Sequence, residues 1–284
     1  MAQEARLPVV ISVPHGGLRI PPEVKSLCRL KLPEILRDGD TWAGYLYDLE
    51  SRVFACHCFP VARAVIDVNR APDDRAPENP DGVVKSLTVD YNPIWKDPAG
   101  LPDRLTELLL QSHYYPYHGY LEAAVRSRHI LLGLDCHSML EITPRLKGGG
   151  VTGSSRPLVC LSNRGDEKGE ALDEPVTAPP ALLRSLAAIL ERRLRDLGYD
   201  QEGPLVSLNK PFKGGYIIEK QGRTGRIPWV QVEFNRSLYL LSRPRTVLPP
   251  QEVLWRINRI RDCFLRSLEE LFSPGQKKKQ PVSL

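Results

Sequence analysis

The stretch Val9-Val-Ile-Ser-Val-Pro-His-Gly-Gly17 constrains the fold more than any other part of the chain. Four β-branched residues surround Ser12, and the run stops abruptly at Pro14, His15 and two glycines. A short apolar run bounded by Pro and Gly reads as an inner strand covered on both faces. Such strands belong to open α/β sheets, whose ligands collect in the crevice beyond the strands' carboxyl ends. His15 stands at that position, and the glycines after it let backbone or ligand approach closely. A single histidine at a strand end is more often structural than functional. Here the pattern recurs, because the apolar run from His129 to Leu134 is closed by Asp135-Cys-His-Ser138. Imidazoles from neighbouring strand ends can converge on one ion, with Asp135 orienting His137. Cys136 points to the opposite side of the pleat and is read as core.

Further polar groups fall at similar places. Asp38 and Asp40 precede an amphipathic stretch, Ala43 to Phe54, read as a helix with Leu46, Leu49 and Val53 at helical spacing. They either cap that helix or supply a metal ligand, and the residues alone do not choose. Phe59 to Val68 alternates as a strand and ends at Asn69-Arg70. Arg70 suits a bidentate carboxylate clamp equally with a salt bridge to Asp67 or Asp73. Arg145, ahead of three glycines, is a second anion-binding candidate. Trp229 to Tyr239 begins as a strand with one polar face, and Glu233 lies in its middle. A carboxylate there is costly unless paired or used, so it is a general base or a partner of Arg236. Residues 71–103 form a long loop rich in Pro, Asp, Asn and Gly, a length that is usually functional or mobile. Helices are expected over Leu101–Arg126, in two pieces, over Pro180–Leu197 and over Pro249–Leu271.

Composition narrows the function classes. With 284 residues, 42% hydrophobic and 26% charged, the chain can bury one sizeable core. The net charge is only +5, and nine Lys or Arg lie from Arg243 onward. No basic stripe with interleaved aromatics marks a nucleic-acid groove. Six cysteines show no CxxC pair and no framework spacing, so reduced thiols in a cytoplasmic protein are expected. Met1 to Arg6 do not read as a signal peptide, and no apolar run reaches membrane-spanning length. Residues 273–284, with Lys277-Lys-Lys279, are expected to form a disordered basic tail after a single domain over 1–272.

Taken together, Val13-Pro-His-Gly-Gly17, Asp38-Gly-Asp-Thr41, Asp67-Val-Asn-Arg70, Asp135-Cys-His-Ser-Met139, Pro144-Arg-Leu146, Asn209-Lys-Pro-Phe-Lys-Gly-Gly-Tyr216 and Gln231-Val-Glu-Phe-Asn-Arg-Ser-Leu-Tyr239 resemble the N-formylglutamate amidohydrolase family. That family is similar in turn to zinc carboxypeptidases. The resemblance implies one three-layer α/β domain, with a mixed central sheet of about eight strands between helices. It implies a single zinc or other divalent ion on His15 and His137, Asn69 and Arg70 as carboxylate clamp, and Glu233 as general base. Leu18 stands where the carboxypeptidase pattern has a carboxylate, so the third ligand must come from elsewhere. Asp40 is the first choice and Asp38 the second. The expected reaction is hydrolysis of an N-acyl amino acid, with N-formyl-L-glutamate as leading substrate and Arg70 and Arg145 holding its carboxylates. Another acylated or peptide-like substrate, or a binding protein without catalysis, are the alternatives.

Overall fold

The computed structural model describes residues 6–142 and 155–273. Its centre is a mixed sheet built from β1 (Leu7–Val13), β2 (Val53–Cys58), β3 (Leu132–Met139), β4 (Val159–Ser162), β5 (Val206–Leu208) and β6 (Trp229–Asn235). The spatial order is β2-β1-β3-β6-β4-β5, parallel throughout except for the antiparallel β4–β6 pair. Six strands replace the expected eight or so; the three-layer α/β architecture is as expected.

The helices are α1 (Pro22–Lys25), α2 (Leu32–Asp38), α3 (Ala43–Leu46), α4 (Asp103–Leu109), α5 (Tyr115–Ala124), α6 (Pro180–Asp196), α7 (Tyr216–Gly222) and α8 (Gln251–Leu271). A π-helical turn over Leu110–Tyr114 joins α4 to α5 just before Pro116, which cannot donate to a regular helical ladder. Alternation along the strands divides the core in two. Val9, Ile11 and Val13 of β1, Leu132, Leu134 and Cys136 of β3, and Val230, Val232 and Phe234 of β6 face α3, α6 and α8. Val10 and Trp229 face the opposite layer, which α4, α5 and α7 cover.

The second face carries the polar residues. Register places Ser12 beside Asp135, Asp135 beside Gln231, and His137 beside Glu233, all at the carboxyl ends of parallel strands. Lower in the same column, Gly133 stands beside Trp229. A Cβ at Gly133 would lie 2.3 Å from the indole, so the absence of a side chain is what seats Trp229.

Two expected elements are different. The helix read over Ala43–Phe54 stops at Leu46, and the second strand is β2 rather than Phe59–Val68. Leu46, Leu49 and Val53 are all buried, but from a helix, an irregular connection and a strand respectively, so helical spacing arose without a helix. Val61, Ala62, Val65 and Ile66 pack into the second core as a tight turn, in which Val65 and Ile66 both donate to the Ala62 carbonyl. No helix of the described residues is long and apolar enough to cross a membrane.

Candidate active site

A cavity of about 380 Å³ opens beyond the ends of β1, β3 and β6, and His15, Asp40, His137 and Glu233 line it together. Each imidazole is aimed by its own carboxylate. His15 Nε2 lies 2.8 Å from Asp67 Oδ1, and His137 Nε2 lies 2.9 Å from Asp135 Oδ2. Asp135 in turn accepts from Ser12 Oγ at 2.9 Å, which fixes its rotamer. These partners assign the Nε2 protons, so each Nδ1 presents a lone pair. The two Nδ1 atoms face one another at 3.1 Å, with Asp40 Oδ2 at 3.2 Å from His137 and 3.5 Å from His15. All three residues are buried, and their donor atoms lie within 4.8 Å of one another.

Three acceptors pointed at one spot repel unless something positive sits between them. A proton meets the need, and so does a divalent ion, for which two imidazoles and one carboxylate are a suitable donor set. The titration behaviour has the same origin. Burial opposes charge on His15 and His137, but the surrounding carboxylates outweigh it and raise both pKa values. Burial likewise opposes charge on Asp40, and the two imidazoles overcome it, holding the carboxyl well below its usual range.

Asp40 is fixed from its other side. Arg236 donates to Asp40 Oδ1 at 3.0 Å, to the Gly39 carbonyl at 2.7 Å and, through Nε, to Ser138 Oγ at 3.0 Å. Arg236 is therefore the partner of Asp40 and not of Glu233. Glu233 instead accepts from Gln231 Nε2 at 3.1 Å. Burial pushes its carboxyl up to about 7; positive charge on His137 works against that rise and the charge of Asp40 adds to it.

The other expected residues are distributed differently. Asp38 lies outside the trio: Lys85, fully buried, donates to both its oxygens at 2.6 and 2.9 Å. Asn69 Oδ1 accepts from the Ile217 amide at the start of α7, while Nδ2 lies 3.2 Å from His137 Nε2. A Cβ at Gly215 would collide with this Asn69 amide, so glycine there gives it room. Arg70 lines the cavity, but its guanidinium donates to Asp81 at 2.8 Å, with Asp67 and Asp74 near 4 Å. Arg145 lies outside the described residues. Sequence reasoning missed Asp67 as the partner of His15, although it opens the same Asp-Val-Asn-Arg motif. Lys85 and Arg156, another arginine lining the cavity, carried no signal beyond their residue type.

A family model for N-formylglutamate amidohydrolase matches residues 7–240. An N-formylglutamate deformylase of Pseudomonas putida is 27% identical over 249 residues, covering 84% of this chain and 83% of the relative. A second, from Pseudomonas aeruginosa, is 26% identical over 251 residues, covering 84% of each. The crystal structure of N-formylglutamate amidohydrolase from Ralstonia eutropha JMP134 superposes with a TM-score of 0.70 at 22% identity, over 94% of this chain and 95% of that one, and shows the same fold. The matched segment begins with β1 and ends just past β6, so it holds every strand that carries the site. The chain belongs to the N-formylglutamate amidohydrolase family.

Proposed function

We propose that the chain is a metal-dependent hydrolase that cleaves N-formyl-L-glutamate to formate and L-glutamate. One observation carries the reading: three lone-pair donors converge beside the buried carboxyl of Glu233, which stands in register with His137. His15 Nδ1, His137 Nδ1 and Asp40 Oδ2 would hold the ion. A divalent ion there supplies Lewis acidity toward the amide carbonyl and lowers the pKa of water. Asp67 and Asp135 keep both imidazoles in the donor tautomer, and Arg236 keeps Asp40 from rotating away. Glu233 takes the proton of the attacking water and delivers it to the leaving nitrogen, a task suited to a buried carboxyl at the edge of the donor set. Arg70 receives a substrate carboxylate in exchange for Asp81, and the cavity walls set the scissile bond over the donors.

A second reading, hydrolysis of a larger N-acyl amino acid, is favoured by an adjoining cavity of about 480 Å³ that shares Arg37, Val89, Leu140 and Arg236 with the first.

The test combines metal content with formate release from N-formyl-L-glutamate. Glu233→Gln should keep a full equivalent of divalent metal and lose on the order of 100-fold or more in kcat, the usual contribution of positioned proton transfer at about 10²–10⁴. His137→Ala should lose metal and activity together. Wild-type rates from Glu233→Gln, or full metal in His137→Ala, would sink the respective assignment.

A further inference from the structure

Five arginines line the cavity: Arg37, Arg63, Arg70, Arg156 and Arg236. Four of them are neutralised by the chain itself. Arg37 pairs with Asp90, Arg63 with Asp67, Arg70 with Asp81 and Arg236 with Asp40. Arg156 is the exception: among the described residues no carboxylate lies within ion-pair distance of it. Among the described residues its guanidinium hydrogen-bonds only the Leu140 carbonyl, at 3.5 Å from Nη1, and its buried Nε has no hydrogen-bond partner there. The effect on its titration is opposite to that at Arg37. Burial lowers the pKa of Arg156, the charge of Glu233 opposing it only in part, whereas the Asp90 carboxylate raises that of Arg37.

The side chain is nonetheless held in place. Its guanidinium carbon sits 4.9 Å from the centre of the Phe212 ring. Phe212 is fixed in turn, because its carbonyl accepts from Ser162 Oγ at 2.6 Å. The Arg156 backbone is tied at both ends. Its amide donates to the Glu141 carbonyl at 3.0 Å, and its own carbonyl accepts from Asn235 Nδ2 at 3.4 Å, two residues along β6 from Glu233. A half-buried fork kept in position without a directly paired carboxylate is unfavourable in the free protein, and an arriving carboxylate recovers that cost. At Arg70 the same carboxylate must first displace Asp81.

We propose that Arg156 binds the side-chain carboxylate of the substrate, so that the cleft selects N-acyl amino acids bearing two carboxylates. Arg70 takes one and Arg156 the other. This deepens the hydrolase reading and rests on it for the identity of the substrate. Phe212 serves as a positioning residue, setting the plane of the fork.

Steady-state kinetics on N-formyl-L-glutamate and N-formyl-L-glutamine test the assignment, since the two differ only in that carboxylate. Arg156→Gln should raise KM for N-formyl-L-glutamate by on the order of 10–100-fold, as losing a charge-assisted pair does, with kcat changed far less. The glutamine substrate should lose much less, so that the preference collapses. Arg156→Lys keeps the charge without the fork and should recover only part of the loss, and Phe212→Leu should raise KM several-fold for the glutamate substrate alone. Equal losses on both substrates, or none on either, would overturn the proposal. If Arg156→Gln fails to fold, Arg156→Lys decides by the same selectivity. Calorimetric binding of glutarate separates this inference from the hydrolase reading. Should the wild type hydrolyse neither substrate, glutarate binding weakened by Arg156→Gln would still support the carboxylate site. Binding that is absent, or indifferent to Arg156, would overturn it.

Discussion

Asp38 and Asp40 are separated by one glycine, yet Lys85 reaches only the first. Both carboxylates are buried, so each needs a cation, and the difference lies in which cation it meets. Asp38 meets an ammonium that is itself fully enclosed, with Asp81 on its other side at 2.7 Å. Asp40 meets a guanidinium through one oxygen, while the other accepts from the Ser138 amide at 3.1 Å and also faces the imidazoles. Asp38→Asn should therefore act on stability. Half-breaking a buried pair costs about 3–5 kcal/mol, to be read from urea denaturation, while folded protein keeps its metal. Asp40→Asn should instead weaken metal binding sharply, and metal retained at wild-type affinity would remove it from the ligand set. Sequence could place both aspartates near the histidines but could not rank them. The ranking depends on Lys85, 47 residues away inside a loop without helix or strand, and on Arg236, 196 residues from Asp40.

Among elements, the β3–β6 pair does most to shape the site. Its register sets His137 against Glu233 and Asp135 against Gln231, so a slip of β6 by one residue would turn Gln231 and Glu233 into the apolar layer and away from His137. Gly133 and Trp229 lock that register from below through contact between a bare Cα and an indole. Gly133→Ala should lower stability by about 1–3 kcal/mol through overpacking, seen as a lower urea midpoint at unchanged slope. An unchanged midpoint would mean that the indole can yield. The long elements were legible because their periodicity is strong. α6 spans Pro180–Asp196 and α8 spans Gln251–Leu271, each within two residues of its expected bounds, and β6 begins at the expected Trp229. β2 was not legible, since Val53-Phe-Ala-Cys-His-Cys58 alternates only weakly and most of its residues are partly exposed at the sheet edge. A buried turn beside it mimicked the alternation that β2 lacks.

At the scale of the molecule, the sheet is assembled from segments far apart in the chain. His15 and His137 are 122 residues apart, and β6, which completes the centre, begins only at Trp229. Such pairings must meet the entropy of closing long loops before any contact rewards it, whereas α6 and α8 form from local bonds. During refolding from urea, far-UV circular dichroism should thus recover before formate-releasing activity does. Activity returning in step with helicity would contradict this order. The α/β class could be read from a few apolar runs, but the strand order could not, because nothing in a run of valines names its neighbour.

The same separation has a consequence for how the chain is made. A ribosome adds about 5–20 residues each second, so β1 emerges roughly ten to forty seconds before β6 can be placed. More than two hundred residues lie between the two strands. Until β3 is made, the nascent chain holds β1 and β2 with the β1 edge open and apolar surface on both sides, and from then until β6 arrives the open edge is that of β3, the kind of edge that recruits other chains. His15 and Asp40 are synthesised about a hundred residues before His137, and Glu233 follows about a hundred residues later still, so an ion captured early would have an incomplete set of donors. A cell that makes this protein must shelter one open strand edge after another, first of β1 and then of β3, until β6 completes the set of groups around the cleft.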